Sequence, residues 1–189
     1  MIIPLFTKLL TTERQNKIIE VSKALKIDPN WLSAVMYFET GRSFSTKAKN
    51  PIGSVGLIQF TRDKAGVEYK TINGVKYNLS DIQKMTFNEQ MDLVFQYYKS
   101  FAGKMNSFVD VYLVTFFPNA LNKTDDYVFQ TKGLKASLIA KQNPAFDKNK
   151  DGQITRKEVT DYFKGLFKEN FNLIDKKKTL NRIKTIWKK

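Results

Sequence analysis

Asp28-Pro29-Asn30-Trp31-Leu32-Ser33-Ala34-Val35-Met36-Tyr37-Phe38-Glu39-Thr40-Gly41 is the stretch on which the fold turns. Asp28 is a good helix N-cap, and Pro29 fits the first helical turn, where no N–H is needed. Trp31, Leu32, Ala34, Val35 and Phe38 give a buried helical face, and Gly41 supplies the stop. Glu39 therefore belongs to the last turn of a helix. The partial negative charge of a helix C-terminus disfavours an ionised carboxylate there. The apolar run Met36-Tyr37-Phe38 reduces its hydration. Both effects push the pKa of Glu39 upward.

Working outward, Thr12 and Gln15 read as a capping box ahead of Ile18, Ile19, Val21, Ala24 and Leu25, so a helix is expected over about 12 to 26. Downstream, 44 to 51 is polar and loop-like. Ser54-Val55-Gly56-Leu57-Ile58-Gln59-Phe60 is short, apolar and punctuated by glycine. Residues 68 to 72 and 75 to 79 flank Asn73-Gly74, the dipeptide that most favours a type I′ hairpin, with Tyr69 and Tyr77 placed for cross-strand packing. Thr86 and Glu89 cap a further helix through Phe101, and 107 to 117 is apolar nearly all round, as a central buried helix requires. A mixed loop, 119 to 141, leads to a composition shift at Asn143-Pro144. The expected class is mainly α (α+β) with one small β-hairpin, as a catalytic domain over 1–142 and a C-terminal loop and basic helix over 143–189.

Composition narrows the chemistry. The 189 residues contain neither Cys nor His. Thiolate and imidazole mechanisms, disulfides and the common zinc ligand sets are excluded, leaving carboxylates, Tyr, Lys or a hard metal. With 32 Lys and Arg against 18 Asp and Glu, the net charge of +14 favours a polyanionic partner: nucleic acid, an anionic membrane surface or a bacterial wall. No helix-turn-helix, zinc or RNP-type motif supports specific nucleic-acid binding. The opening Met1-Ile2-Ile3-Pro4 lacks a basic region and is broken by proline, so no signal peptide is expected. No apolar run approaches the ~20 residues of a membrane span.

Glu39-Thr40-Gly41, a polar loop, and then Gly56-Leu57-Ile58-Gln59 resemble the paired signature of the soluble lytic transglycosylase and goose-type lysozyme branch of the lysozyme-like superfamily. In that family the Glu ends a helix, and a following Gly-Leu-Met-Gln segment lines the sugar cleft. Ile58 here replaces the Met, and Ser54-Val55 stand where Gly-Ala is common. The likeness covers about residues 12 to 130 and is weaker at Phe116-Phe117-Pro118-Asn119-Ala120, where the family often has Ala-Tyr-Asn-Ala-Gly. Pro118 takes the tyrosine's place, so Tyr112 or Tyr127 would have to serve as the helper.

The resemblance implies cleavage of peptidoglycan between N-acetylmuramic acid and N-acetylglucosamine, with Glu39 as general acid. Gln59 would reach the sugar or the Glu, and Ser54, Gly56, Leu57, Ile58, Tyr112, Asn119 and Tyr127 would belong to the substrate cleft. A transglycosylase needs one acid, because the substrate's own hydroxyl attacks. Inverting hydrolysis needs a second carboxylate, for which Asp63 is the candidate, although an Asp in Thr61-Arg62-Asp63-Lys64 also suits a helix cap or a surface ion pair. One-acid chemistry is the expectation, with a hydrolytic muramidase as the alternative. A noncatalytic wall-binding or nucleic-acid-binding basic protein is the other competing class.

Asp147-Lys148-Asn149-Lys150-Asp151-Gly152-Gln153-Ile154-Thr155-Arg156-Lys157-Glu158 fits the EF-hand pattern, with ligands at Asp147, Asn149, Asp151, the Gln153 carbonyl, Thr155 and Glu158. The expected cofactor is a structural Ca2+, with Phe146, Tyr162 and Phe163 packing on the flanks. The same residues also read as a turn before a helix capped by Thr155 and Glu158.

From Lys164 onward the chain is a basic amphipathic helix signal, suited to packing on the domain or to an anionic envelope surface. The stretch from Phe116 to Val128, joined to the downstream acidic loop, resembles phage-encoded members of the superfamily. Together with the small size and basic tail this looks like a bacteriophage endolysin or virion-associated lysozyme. The expectation is a monomer, made in a host cytoplasm and acting on the cell wall.

Overall fold

A computed structural model of the chain describes residues 1–175. The protein is mainly α with one two-stranded antiparallel sheet, as expected. It forms two compact units that divide between Lys104 and Met105. The expected boundary at 142/143 therefore falls inside the second unit. The composition shift marks a turn, whereas Tyr112 and Phe116 pack on Phe146 from its other side.

The first unit contains α1 (Pro4–Thr7), α2 (Thr12–Leu25), α3 (Pro29–Glu39), β1 (Tyr69–Ile72), β2 (Val75–Asn78), α4 (Leu79–Lys84) and α5 (Phe87–Tyr98). Helix α2 packs on both α3 and α5, burying Ile18, Leu25, Trp31, Leu32, Met36, Met91 and Val94. Helix α3 starts as its sequence requires. Asp28 accepts from the Asn30 amide at 2.8 Å, with Pro29 next in line. Helix α2 is capped one residue earlier than expected. Thr11, not Thr12, accepts from the Arg14 amide, while Gln15 donates to Leu10 O instead of completing a box. Helix α5 carries the full capping box of Thr86 and Glu89.

The hairpin forms at the expected turn, with Asn73 at φ 50° and Gly74 at φ 82°, both positive as a type I′ turn demands. Its register corrects the expected tyrosine pair. Tyr69 faces Asn78 and Lys70 faces Tyr77, so the two rings point to opposite faces of the ribbon. The Lys76 ammonium lies over Tyr69 instead, 4.7 Å from the ring centre.

The second unit contains α6 (Phe108–Phe116), α7 (Ala136–Gln142), α8 (Arg156–Phe167) and α9 (Phe171–Ile174). Helix α7 lies in what the sequence suggested was loop. Helix α6 is buried continuously from Phe108 to Val114 and organises an aromatic core. Phe163 meets Phe108 at 4.9 Å and Tyr112 at 4.7 Å, both edge to face, a geometry worth about 0.5–1.5 kcal/mol per pair beyond area burial. Phe146 packs on Tyr162 at 4.8 Å and on Phe163, as the flanks of the acidic loop were expected to do. The expected basic helix lies for the most part beyond the described residues. Among the described residues no helix is long and apolar enough to cross a membrane.

Candidate active site

Glu39 is the last residue of α3, and the chain turns away from it within a few residues. Gly41, Arg42 and Phe44 all have positive φ, at 59°, 73° and 52°. For Arg42 and Phe44 that conformation is unfavourable and must be held by its surroundings. Thr40 is the clamp. Its hydroxyl donates to Met36 O at 2.7 Å and accepts from the Phe44 amide at 2.8 Å. Phe44 is fully buried against Phe6 and Tyr37, which anchors the far side of the turn. The helix end is thereby left open beside Glu39.

That end opens into a cleft of about 460 Å³, lined by Glu39, Ser43, Lys47, Lys49, Asn50 and Gln59 among others. The volume lies within the range of small-molecule sites, about 300–1,000 Å³. Glu39 is half-buried, and burial pushes its carboxyl up to about 8, so it carries a proton at neutral pH. Among the described residues its carboxyl has no hydrogen-bond or ion-pair partner. A protonated, undersolvated acid in an open cleft is equipped to give a proton to a bound ligand.

Gln59 joins Glu39 in the lining. It has φ 52°, and its Nε2 donates to Gly56 O at 3.0 Å and to Ala48 O at 3.4 Å. The other members of the segment do not line the cleft. Ser54, Gly56, Leu57 and Ile58 are buried and build its support. The Ser54 amide donates to Asn50 Oδ1, and its hydroxyl pairs with Thr61. Gly56 was expected to belong to the substrate cleft. Instead it makes room for Gln90. A Cβ at Gly56 would stand 2.6 Å from Gln90 Oε1, and φ is 78°.

Gln90 is the support that sequence reasoning missed. Fully buried on α5, it accepts from the Leu57 amide at 3.0 Å and donates to Thr46 O and Ile82 O at 2.9 and 2.6 Å. One amide thus ties both arms of the 46–57 loop to the helical core. Its signal was present as a polar residue inside the apolar stripe Phe87, Met91, Val94 and Tyr98. Tyr97 was missed too. Burial, and then the charge of Glu39, hold its phenol above the ordinary value, so it stands within electrostatic reach of the acid. Its ring packs edge-on against Phe60, next to Gln59.

Asp63 does not line the cleft. Its Oδ2 accepts from the Thr71 amide at 3.0 Å and its Oδ1 pairs with Lys70 at 3.3 Å. Those contacts, led by the Thr71 bond, keep it below the usual carboxylate range and commit it to the hairpin. Tyr112, Asn119 and Tyr127 belong to the second unit. Tyr112 is buried in the aromatic core, so it is a packing residue. Asn119 is exposed in the turn Pro118–Ala120, and Tyr127 is half-buried beside Phe129.

In the acidic loop, Lys150 and Gly152 have φ 60° and 79°. Asp147 Oδ2 accepts from the Gly152 amide, Asn149 Oδ1 from Asp151, and Asp151 Oδ1 from Gln153. Glu158 Oε2 accepts from the amide and hydroxyl of Thr155, completing a capping box, so the helix cap read from the sequence is present. Among the described residues no three acidic side chains converge to hold a metal as they stand. Yet Asp147 Oδ1 and Glu158 Oε1, from the first and last positions of the loop, are both buried without a hydrogen-bond partner. Orphaned carboxylate oxygens are costly, and these stand at the two ends of an EF-hand ligand set.

Set beside protein-family models, curated proteins and solved structures, the chain matches none.

Proposed function

We propose that this protein cleaves the peptidoglycan bond between N-acetylmuramic acid and N-acetylglucosamine, as a lytic transglycosylase of the lysozyme-like kind, with Glu39 as its acid. The observation that carries the reading is Glu39 itself, protonated at neutral pH and lining an open cleft beside Gln59. The proton of Glu39 passes to the glycosidic oxygen as the bond from that oxygen to the muramic C1 breaks. The C6 hydroxyl oxygen of the same sugar bonds to C1, and its proton returns to Glu39. The product is a 1,6-anhydro sugar, and the acid is regenerated.

One-acid chemistry suits a cleft that, among the described residues, is lined by Glu39 and by no other carboxylate, while Asp63 is engaged by Lys70 and Thr71. Lys47 and Lys49 on the rim suit a polymer that bears carboxylates, as muramic acid and its stem peptides do. A bacteriophage lysin acting on the host wall is the setting these features fit. The test is digestion of purified sacculi by the wild type and by Glu39→Gln, with mass spectrometry of the muropeptides. Anhydro ends from the wild type and none from the variant are expected. An active variant would overturn the assignment of Glu39, and reducing ends alone would replace transglycosylation by hydrolysis.

The two orphaned oxygens favour a second, independent reading, a Ca2+ held by Asp147, Asn149, Asp151, the Gln153 carbonyl, Thr155 and Glu158. A bound ion would give the two orphaned oxygens of the half-buried Asp147 and Glu158 a partner and brace the start of α8.

A further inference from the structure

The exit of the acidic loop is not free backbone. Phe129 N donates to Ile154 O at 2.8 Å, Arg156 N to Tyr127 O at 3.1 Å, and Lys157 N to Asp125 O at 2.8 Å, with Val128 and Thr155 bridged antiparallel. These bonds all come from residues 154–157, between the Gln153 carbonyl and the Glu158 carboxylate. Arg156 extends the tie. Its Nη1 donates to Asp110 Oδ1 at 2.8 Å and to Ala120 O at 3.1 Å, and Asp110 also accepts from the Asn106 and Asn122 amides. The segment from Ala120 to Phe129 thus hangs on the loop's exit at both ends.

We propose that residues 147–158 are a Ca2+ site whose β partner is the Asp125–Phe129 segment of the same chain, so that the ion sets the order of the segment carrying Tyr127. This rests on the cation reading above and adds a consequence to it. An ion that joins the first and last residues of the loop fixes residues 154–157 between them. Residues 125–129 have their main-chain partners there and little other regular structure, since they lie between the turn Pro118–Ala120 and α7. Fixing one side of a short ladder slows the opening of the other. By reciprocity, a ligand that orders the Tyr127 segment tightens the ion.

The experiment uses the full chain, with calorimetric titration by CaCl2 alongside hydrogen–deuterium exchange in Ca2+ or in chelator. Ca2+ should bind and slow exchange at 125–129 and 154–157 by about tenfold or more, leaving α5 unchanged. Glu158→Gln keeps a residue able to complete the capping box, and circular dichroism checks that it folds. It should lose both the binding heat and the protection, as should Asp147→Asn. Binding without protection at 125–129 would overturn the coupling and leave the cation site standing. No binding heat in the wild type, with exchange equal in Ca2+ and chelator, would overturn both.

Discussion

Tyr97 stands close enough to Glu39 for the carboxylate's charge to hold the phenol above the value that burial alone would set. The pair joins the end of α3 to the last turn of α5 and makes the site measurable without substrate. In Glu39→Gln the charge is gone, so the phenol of Tyr97 should titrate at lower pH, read by ultraviolet difference titration against a Tyr97→Phe reference. An unchanged titration would separate the two residues. In the proposed reaction, Tyr97→Phe should lower kcat by about tenfold with little change in KM, a modest share of the ~10²–10⁴ that an acid–base group contributes.

The raised pKa of Glu39 sets the pH profile. As the proposed acid it must be protonated, so kcat/KM should be retained at neutral pH and fall as pH rises through about 8. Stability follows the same proton. Unfolded, the group ionises near 4.5; folded, near 8. The folded state is therefore favoured most below the lower value and loses stability steadily between the two. Glu39→Gln should raise stability at neutral pH by about 1–3 kcal/mol, and by much less near pH 4. Equal gains at both pH values, measured by denaturant unfolding, would show that the effect is not one of ionisation.

Gly56 and Gln90 form a lock and should fail together. Gly56→Ala places a methyl group against the buried amide at a backbone angle that suits glycine, and Gln90→Ala leaves the Leu57 amide without its acceptor. Each should cost about 1–3 kcal/mol. In a double-mutant cycle the losses should be less than additive, because both act on one contact. Full additivity would mean that Gly56 serves something other than Gln90.

Asp110 and Arg156 are a buried ion pair, with side chains 2% and 11% exposed. Removing one partner strands the other charge, so Asp110→Ala or Arg156→Ala should destabilise by about 3–5 kcal/mol. Thermal unfolding reports the loss. A shift as small as that of an exposed control such as Lys84→Ala would show that the pair is not buried in solution.

Lys47 and Lys49 give the cleft rim its charge. Replacing both with Gln should raise KM for carboxylate-bearing glycan strands by about three- to tenfold, given about 0.2–1 kcal/mol for each exposed pair. The difference should shrink as salt rises. Neutral chitooligosaccharides should show no such loss; an equal loss on both substrates would assign the lysines to folding.

What the sequence determined by itself is local. Asp28 and Pro29 start α3, Asn73-Gly74 turns the hairpin, Thr86 and Glu89 cap α5, and Thr155 and Glu158 cap α8, because each depends on hydrogen bonds and dihedral preferences within a few residues. The absence of His and Cys limits the chemistry whatever the fold. Tertiary structure decided what those local pieces are for. Glu39 could be placed at a helix end from the sequence, but the extent of its burial depends on residues from other elements. Gly56 reads as a residue of the substrate cleft until Gln90 is found in the space beside it, and Asp63 reads as a candidate second carboxylate until Lys70 and Thr71 engage it. The partner of the acidic loop's exit lies in Asp125–Phe129, which carries no local pattern of its own. Desolvation and long-range hydrogen bonding depend on what arrives from distant parts of the chain, and no short window contains that.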